Sequence, residues 1–402
     1  SFIPCRNRHK KSRKHKRRLV KKNILLIIAI ILIIAGIWYL QSGKARPTGT
    51  SQSDAIGLTE STPVTTTDAV PNSERAARIA EEAKQYQPAH EIIPGGRFIN
   101  SSPFTLKSLI GKRVILLDFW TYSCINCQRT TPYLNAWYKK YKDQGLVIVG
   151  VHTPEFDFEK DYTNVVAGTK ELGIQYPVVQ DNNYATWQSY GNQYWPREYL
   201  INIDGYIVHD KIGEGGYDKT EQAIQAALQE RSQVLVLSDT IPKDIANPTD
   251  AMPMNSLQVH SPEIYFGSAR NEYLGNGTQS KSSIQELSFP VAFKPNTLYL
   301  DGTWDFQDQY AVAASAKVKI VFRYNAKNVY FVASADKPVK ITIMQDDKVV
   351  GKDRGSDVSA DGTVIIQANR LYKLISGSDY GEHTLEIIVN DLGLRAYTFT
   401  FG

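Results

Sequence analysis

Asp118-Phe-Trp-Thr-Tyr-Ser-Cys-Ile-Asn-Cys127 is the stretch that decides how this chain is read. Its first residues close a continuous apolar run, Arg113-Val-Ile-Leu-Leu-Asp-Phe-Trp120, of the kind a buried strand requires. Residues 124 to 144 then have the length and apolar spacing of a helix. The CxxC therefore falls where strand hands over to helix, and Cys124 lies at the helix N-terminus. Unpaired N–H groups and the helix dipole favour an anion there. A thiolate is the attacking species in disulfide exchange, so Cys124 is the expected nucleophile. Cys127, one turn on, can reach back and resolve the mixed disulfide. Zinc is the other reading of a CxxC, but it needs a second ligand pair. The chain has three cysteines. The third, Cys5, lies across an apolar segment, and His152 alone cannot complete a ligand set. No metal and no bound cofactor is expected.

Outward from this stretch the pattern alternates between strands and helices. Leu146-Val-Ile-Val-Gly-Val151 is a second buried strand, and Glu159 to Leu172 and Tyr217 to Arg231 read as helices. A strand pair turns around Asp204-Gly205, with one strand over Tyr199 to Ile203. These elements make residues 88–237 an α/β domain.

Several residues at fixed offsets resemble the thioredoxin active site. Asp118 stands six before the first cysteine, Trp120 four before it, and Pro132 five after the second. Trp195-Pro196 precedes a strand, as the cis-proline loop of thioredoxins does. The resemblance sharpens over Trp120 to Arg129, Gly150-Val-His-Thr-Pro-Glu-Phe156 and Tyr190-Gly-Asn-Gln-Tyr-Trp-Pro196. These look like the soluble part of DipZ proteins, fusions of a CcdA-type membrane electron carrier with a TlpA/ResA-type redoxin and a smaller β-sandwich. The similarity runs from about residue 90 to Gly402. It implies that Asp118 is the buried carboxylate accepting the Cys127 proton and that Trp195 and Pro196 shape a substrate groove. It also implies that Trp120 packs under the site, with Glu155 the acidic residue placed near the disulfide. Tyr122 and Ser123 flank the nucleophile, and Ser123 stands where thioredoxins usually carry Trp. Ile125-Asn126 is neither the Gly-Pro of thioredoxin nor the Pro-His of strong oxidants. The resemblance favours a reductant within a range of about −270 to −120 mV.

After a polar connector, 238–256, residues 257–402 show short β-like runs. These include Val318 to Tyr324, Val329 to Ala333, Lys340 to Met344, Thr363 to Gln367, Thr384 to Val389 and Ala396 to Phe401. Turns at Asp361-Gly362 and Asp391-Leu-Gly393 punctuate them. Many short alternating strands predict a β-sandwich of jelly-roll type, resembling a carbohydrate-binding module. Tyr265, Tyr273 and Trp304 are candidates to stack on sugar rings. Packing inside the sandwich is the favoured reading of Trp304.

The N-terminal part is of a different kind. Residues 1–23 hold eleven Lys or Arg and no acid, so the rest carries 35 basic and 41 acidic residues and is mildly acidic. Nucleic acid is not its expected partner. Residues 24–40 are seventeen apolar residues without a charge, about 25 Å as a helix, near the lower limit for a membrane span. With the basic cluster before it, the N-terminus stays cytoplasmic. The alternative is a cleaved signal peptide, for which Gln41-Ser42-Gly43-Lys44 is a poor processing site. The chain begins at Ser1 rather than Met, which leaves its true start open. Residues 41–87 read as a flexible linker ending in a short helix from Glu74 to about Tyr86, capped by Ser73.

Together these features predict a single-pass, membrane-anchored, extracytoplasmic thiol–disulfide oxidoreductase. Its expected partners are disulfide-containing exported proteins, cell-wall glycan through the C-terminal domain, and a CcdA-type membrane electron donor. That donor is needed because one apolar segment stands in place of the multi-span part. The alternatives are a cell-envelope binding module with an ancillary redox domain, and a thiol peroxidase. Peroxidase chemistry would resemble Pro-x-x-x-Thr-x-x-Cys; Thr121 fits that pattern, but Leu117 occupies the proline position.

Overall fold

The computed structural model describes residues 72–402. The basic tail, the apolar segment 24–40, most of the linker and Cys5 lie outside the described residues. Among the described residues no helix is long and apolar enough to cross a membrane.

Helix α1 (Asn72–Glu82) starts two residues before its expected position, so that Ser73 lies within it rather than capping it. It does not hang free. Arg75 and Arg78 reach Asp204 at 3.3 and 2.6 Å, pinning the helix to the α/β domain.

The α/β domain follows in chain order: β1 (Phe98–Ile99), α2 (Leu106–Leu109), β2 (Val114–Trp120), α3 (Ile125–Tyr141), β3 (Leu146–His152) and α4 (Tyr162–Glu171). Then come β4 (Val178–Gln180), α5 (Ala185–Ser189), β5 (Arg197–Ile201), β6 (Ile207–Ile212) and α6 (Tyr217–Val234). The expected helix from Glu159 is in fact a 3₁₀ turn, Asp157–Lys160, followed by α4, which Asp161 caps through the N–H groups of Thr163 and Asn164. The sheet order is β1-β4-β3-β2-β5-β6. Central β2 pairs parallel with β3 and antiparallel with β5. Every residue of β2 is buried, as its unbroken apolar run required. Val114, Leu116 and Trp120 face one core, with Leu134 and Trp137 of α3 and Leu228 of α6. Ile115, Leu117 and Phe119 face the other. Gly150 of β3 has to be glycine: a Cβ there would lie 2.7 Å from the Trp120 indole nitrogen.

The C-terminal domain holds β7 (Ile264–Tyr265), β8 (Ile284–Leu287), β9 (Leu298–Phe306), β10 (Ala311–Ala313), β11 (Val318–Ser334) and β12 (Val339–Gln345). It ends with β13 (Lys348–Val349), β14 (Thr363–Ile366), β15 (Arg370–Val389) and β16 (Arg395–Phe401). It is β-rich, and all its strand pairings are antiparallel. Short strands are not the rule, however. The two runs expected at 318–324 and 329–333 are one 17-residue strand, and β15 runs for 20 residues. Register shifts near Ala326 and Tyr330 bend this pair. On its other edge β11 pairs first with β9 and then with β16. The strands thus join one hydrogen-bonded path, β13-β12-β15-β11-β16-β10-β9-β8.

The three candidate sugar-stacking aromatics are not free platforms. Trp304 is wholly buried, its indole N–H donating to the Asp301 carbonyl. Tyr273 packs against the β-domain core. The Tyr265 hydroxyl donates to Glu155 and Glu263, with the Arg270 guanidinium 3.7 Å over its ring.

Candidate redox site

Cys124 caps α3 in an extended conformation (φ −80°, ψ 119°), and the Cys127 N–H points at its Sγ at 3.3 Å. That donor and the helix dipole are placed to hold negative charge on the first sulfur. Both cysteines are free thiols; Cys124 is partly exposed and Cys127 buried. Burial pushes the Cys127 thiol well up, and Cys124 and Asp118 push it the same way. Cys124, the less buried of the two, is therefore the one placed to meet a substrate, and the buried Cys127 needs a base. Pro132 lies inside α3, where it lacks the N–H that would reach Gln128.

Asp118 faces the same core as Cys127. It is 2 % exposed, its Oδ1 has no partner, and burial followed by the charge of Glu198 raises its carboxyl well above the usual range. Trp120 is buried in the same core as Cys127, edge-on to His152. His152 is buried, with Nε2 3.3 Å from the Thr121 hydroxyl, and burial lowers its pKa to about 3, so it stays neutral. The Trp195–Pro196 peptide is cis. The Trp195 indole donates to the Thr153 carbonyl at 3.0 Å and lies 4.2 Å from the Trp187 ring. Pro196 is buried, and its carbonyl accepts from the Gly213 N–H.

Glu155 is placed differently from expectation. Its carboxylate takes the Tyr265 hydroxyl and the Arg270 guanidinium, each at 2.8 Å, so it joins the β domain rather than the cysteines. The buried acid beside the nucleophile is Glu159. Ser123, next to Cys124, donates to it at 2.5 Å, and the N–H groups of Glu155 and Phe156 donate to its other oxygen. Burial, with Glu155 adding, raises Glu159 to about 7. Sequence reasoning passed over Glu159 by placing it at a helix start. The available signal was its position three after Phe156, where a turn's third residue can reach back to the leading N–H groups. Glu198, opposite Asp118, was also missed, because the pairing of β2 with β5 joins segments eighty residues apart.

The β domain closes on this site. Ile125, between the cysteines, is 1 % exposed and packs with Phe156 against Tyr330, Val332, Leu371 and Tyr397. Arg129 is buried; it donates to Glu214 and Asn126 at 3.1 Å and to the Phe401 carbonyl at 3.4 Å. The Tyr122 hydroxyl donates to the Asn369 carbonyl at 3.0 Å. A cleft of about 220 Å³ remains beside Ile125 and Asn126, with Glu214, Glu263 and Phe401 among its walls. Cys124 itself is partly exposed and packs against the α/β core.

Known proteins bear the same two parts. A family described as "Thioredoxin-like" matches residues 111–207, and one described as "Thioredoxin like C-terminal domain" matches residues 261–402. The protein DipZ of Mycobacterium bovis and that of Mycobacterium tuberculosis are each 37 % identical over 302 residues, covering 75 % of this chain. The chain spans only 40 % of the length of either. Thiol-disulfide oxidoreductase YkuV of Bacillus subtilis is 29 % identical over 37 % of this chain and 98 % of its own length. ResA of Bacillus thuringiensis is 34 % identical over 29 % of this chain and 64 % of its own length. Residues 111–207 thus match a thioredoxin-like domain and residues 261–402 a thioredoxin-like C-terminal domain, and the chain is similar to DipZ over 302 residues.

Proposed function

We propose that the protein is a membrane-anchored, extracytoplasmic thiol–disulfide oxidoreductase that reduces disulfides of exported proteins. The observation that carries the redox part is the asymmetry of the CxxC. Cys124 is partly exposed and held by an N–H donor, while Cys127 is buried behind it near Asp118. Cys124 attacks the substrate disulfide, one substrate sulfur leaves as a thiol, and a mixed disulfide forms. Cys127 loses its proton to Asp118 and attacks Cys124 Sγ. The second substrate sulfur leaves with the electron pair, and the protein is left as the Cys124–Cys127 disulfide. A separate reductant of the CcdA type restores the dithiol. Trp195 and Pro196 border the approach to Cys124. Anchoring rests on the apolar segment 24–40 and the basic run before it.

Binding of cell-wall glycan is a second role the β domain could serve. Its candidate aromatics face inward or toward Glu155, so nothing here favours it over docking against the redox domain. The contact of both domains at Ile125 also speaks against a redox domain that is merely ancillary.

The test uses the full-length chain in detergent. Cys124→Ser is expected to abolish insulin-disulfide reduction, and Cys127→Ser to accumulate mixed disulfides visible by mass. Wild-type turnover in both variants would overturn the mechanism. Equilibration with dithiothreitol then sets the direction. A potential near about −270 mV supports a reductant, and one near about −120 mV would replace it with an oxidant.

A further inference from the structure

A thiol as deeply buried as Cys127 cannot pass its proton straight to water, so the proton has to leave through protein groups. Directly behind it lie several buried polar atoms without partners: Asp118 Oδ1, Glu198 Oε2, Tyr176 Oη and the Trp120 indole nitrogen. Asp118 and Glu198 are paired across β2 and β5, and both are 2 % exposed. Residues directly opposite on antiparallel strands have Cβ atoms about 4.5–5.5 Å apart on one face. Leu200, two residues beyond Glu198, packs in the core that holds Cys127 and the inner face of α6, so both acids point there.

From Glu198 the polar trail continues outward. Thr220, on α6, lies on the side of Glu198, where its hydroxyl favours the ionised carboxylate. Thr220 is itself wholly buried, and its Oγ1 lies 3.1 Å from Nε2 of His209 on β6. His209 is only half-buried and opens to solvent. The other charged or titratable groups facing this line are Lys211 and Tyr217 beside Glu198, Tyr176 beside Asp118 and Cys127, and Asp210 and Lys211 beside His209. Among the described residues no arginine or lysine pairs with either buried acid.

We propose that Asp118, Glu198, Thr220 and His209 form a proton relay that carries the Cys127 proton to solvent during resolution of the mixed disulfide. The relay rests on the resolving role of Cys127 and the accepting role of Asp118 proposed above. Cys127 S–H gives its proton to Asp118, and the new thiolate attacks Cys124 Sγ. The Cys124–substrate S–S bond breaks as Cys124–Cys127 forms, and the substrate thiolate leaves with the bonding pair. Asp118 hands its proton to Glu198. Thr220 accepts it on the hydroxyl oxygen while donating its own proton to His209 Nε2, and His209 releases one proton from Nδ1 to water. No oxidant beyond the substrate disulfide is needed. Burial holds Glu198 near 7 and lowers His209, so the outer groups exchange protons at neutral pH. Glu198, Thr220 and His209 act through Asp118 and are positioning residues.

The test is stopped-flow reaction of the reduced full-length protein with 5,5′-dithiobis(2-nitrobenzoate). Attack by Cys124 releases the first thionitrobenzoate, and resolution by Cys127 releases the second. In Glu198→Gln and Thr220→Val the first phase should stay unchanged, which also reports an intact fold. The second phase should slow at least tenfold at pH 7, and Glu198→Gln should remove one inflection from its pH profile. His209→Ala should slow the second phase, and added imidazole should restore it, which a purely structural role would not allow. If Asp118→Asn slows the second phase but Glu198→Gln and His209→Ala do not, the relay is wrong and Asp118 stands alone. If Asp118→Asn also leaves it unchanged, the underlying resolving mechanism falls with the relay.

Discussion

The two folded domains bury different chemistry. The α/β domain holds Asp118, Arg129, His152, Glu159, Asp181 and Glu198 almost fully out of water. The buried side chains of the β domain are apolar, apart from hydroxyls and amides at Ser261, Ser268, Asn271, Ser334, Thr398 and Thr400. Burying ionisable groups costs stability unless they are paired. The α/β domain therefore carries a cost at Asp118 and Glu198, whose buried carboxyls each keep an oxygen without a partner. The β domain carries none and is built as an apolar core around Trp304, Phe306, Phe322, Phe331 and Phe399. One domain is organised around a reaction, and the other is the rigid body against which that reaction's entrance is set.

The strongest way to break this comparison is to open a cavity in the β core. Trp304→Ala should cost about 3–5 kcal/mol, by analogy with large-to-small changes in well-packed cores. Hydrogen exchange should show that loss first in β11 and β15, where the long paired strands depend on the core. If protection falls equally in β2 and β5, the two domains unfold as one unit and the division drawn here is too sharp.

A smaller effect tests the α/β side through pH. Glu159 and Glu198 ionise near 4.5 when free and near 7 when folded, and burial raises Asp118 above its ordinary range as well. Between pH 4.5 and 7 the folded state keeps protons that the unfolded state has lost, so stability falls as pH rises through that window. His152 works the other way: it titrates at 6.5 when free and about 3 when folded, so falling pH removes stability below 6.5. Three carboxyls outweigh one imidazole, and exchange protection in β2–β5 should be higher at pH 5.5 than at pH 8. Glu159→Gln removes one titration and should reduce that difference by about 2 kcal/mol, at 1.36 kcal/mol per pKa unit. An unchanged pH dependence would mean Glu159 ionises normally and is not a buried neutral acid.

Much of this division was legible in the residues. The buried run 113–120, the CxxC after it and Trp195-Pro196 before a strand are local patterns, and each lies where it was expected. What the residues hid depends on contacts between distant segments. Glu198 reads as an ordinary strand acid until β5 is laid against β2. Residues 370–383 lack clean alternation and are held as strand by pairing with β11. Ile125 sits between two cysteines in a stretch that looks exposed, yet the β domain covers it. Glu155 and Glu159 lie four residues apart, and only the 3₁₀ turn between them decides which acid faces the nucleophile's neighbour and which faces the other domain.

The smallest effect sharpens how firmly the two domains are joined. Glu155 contacts Arg270 and Tyr265 at 2.8 Å, and Arg270 lies 3.7 Å over the Tyr265 ring and 5.4 Å over Phe156. The Arg270 side chain is 40 % exposed and that of Glu155 14 %, so solvent screens the pair and its worth stays near the level of a surface bridge. A double-mutant cycle of Glu155→Gln and Arg270→Ala should give a coupling of about 1 kcal/mol. Neither single variant should slow the first thiol phase by more than about twofold, since neither side chain touches the cysteines. A coupling of zero would place the whole join on the apolar contact of Ile125, Phe156 and Tyr397, and the ion pair would then serve only to fix register between the domains. A coupling well above 2 kcal/mol would mean that Glu155 is held dry by the contact. The rim of the redox site would then be as rigid as the β-domain core it rests on.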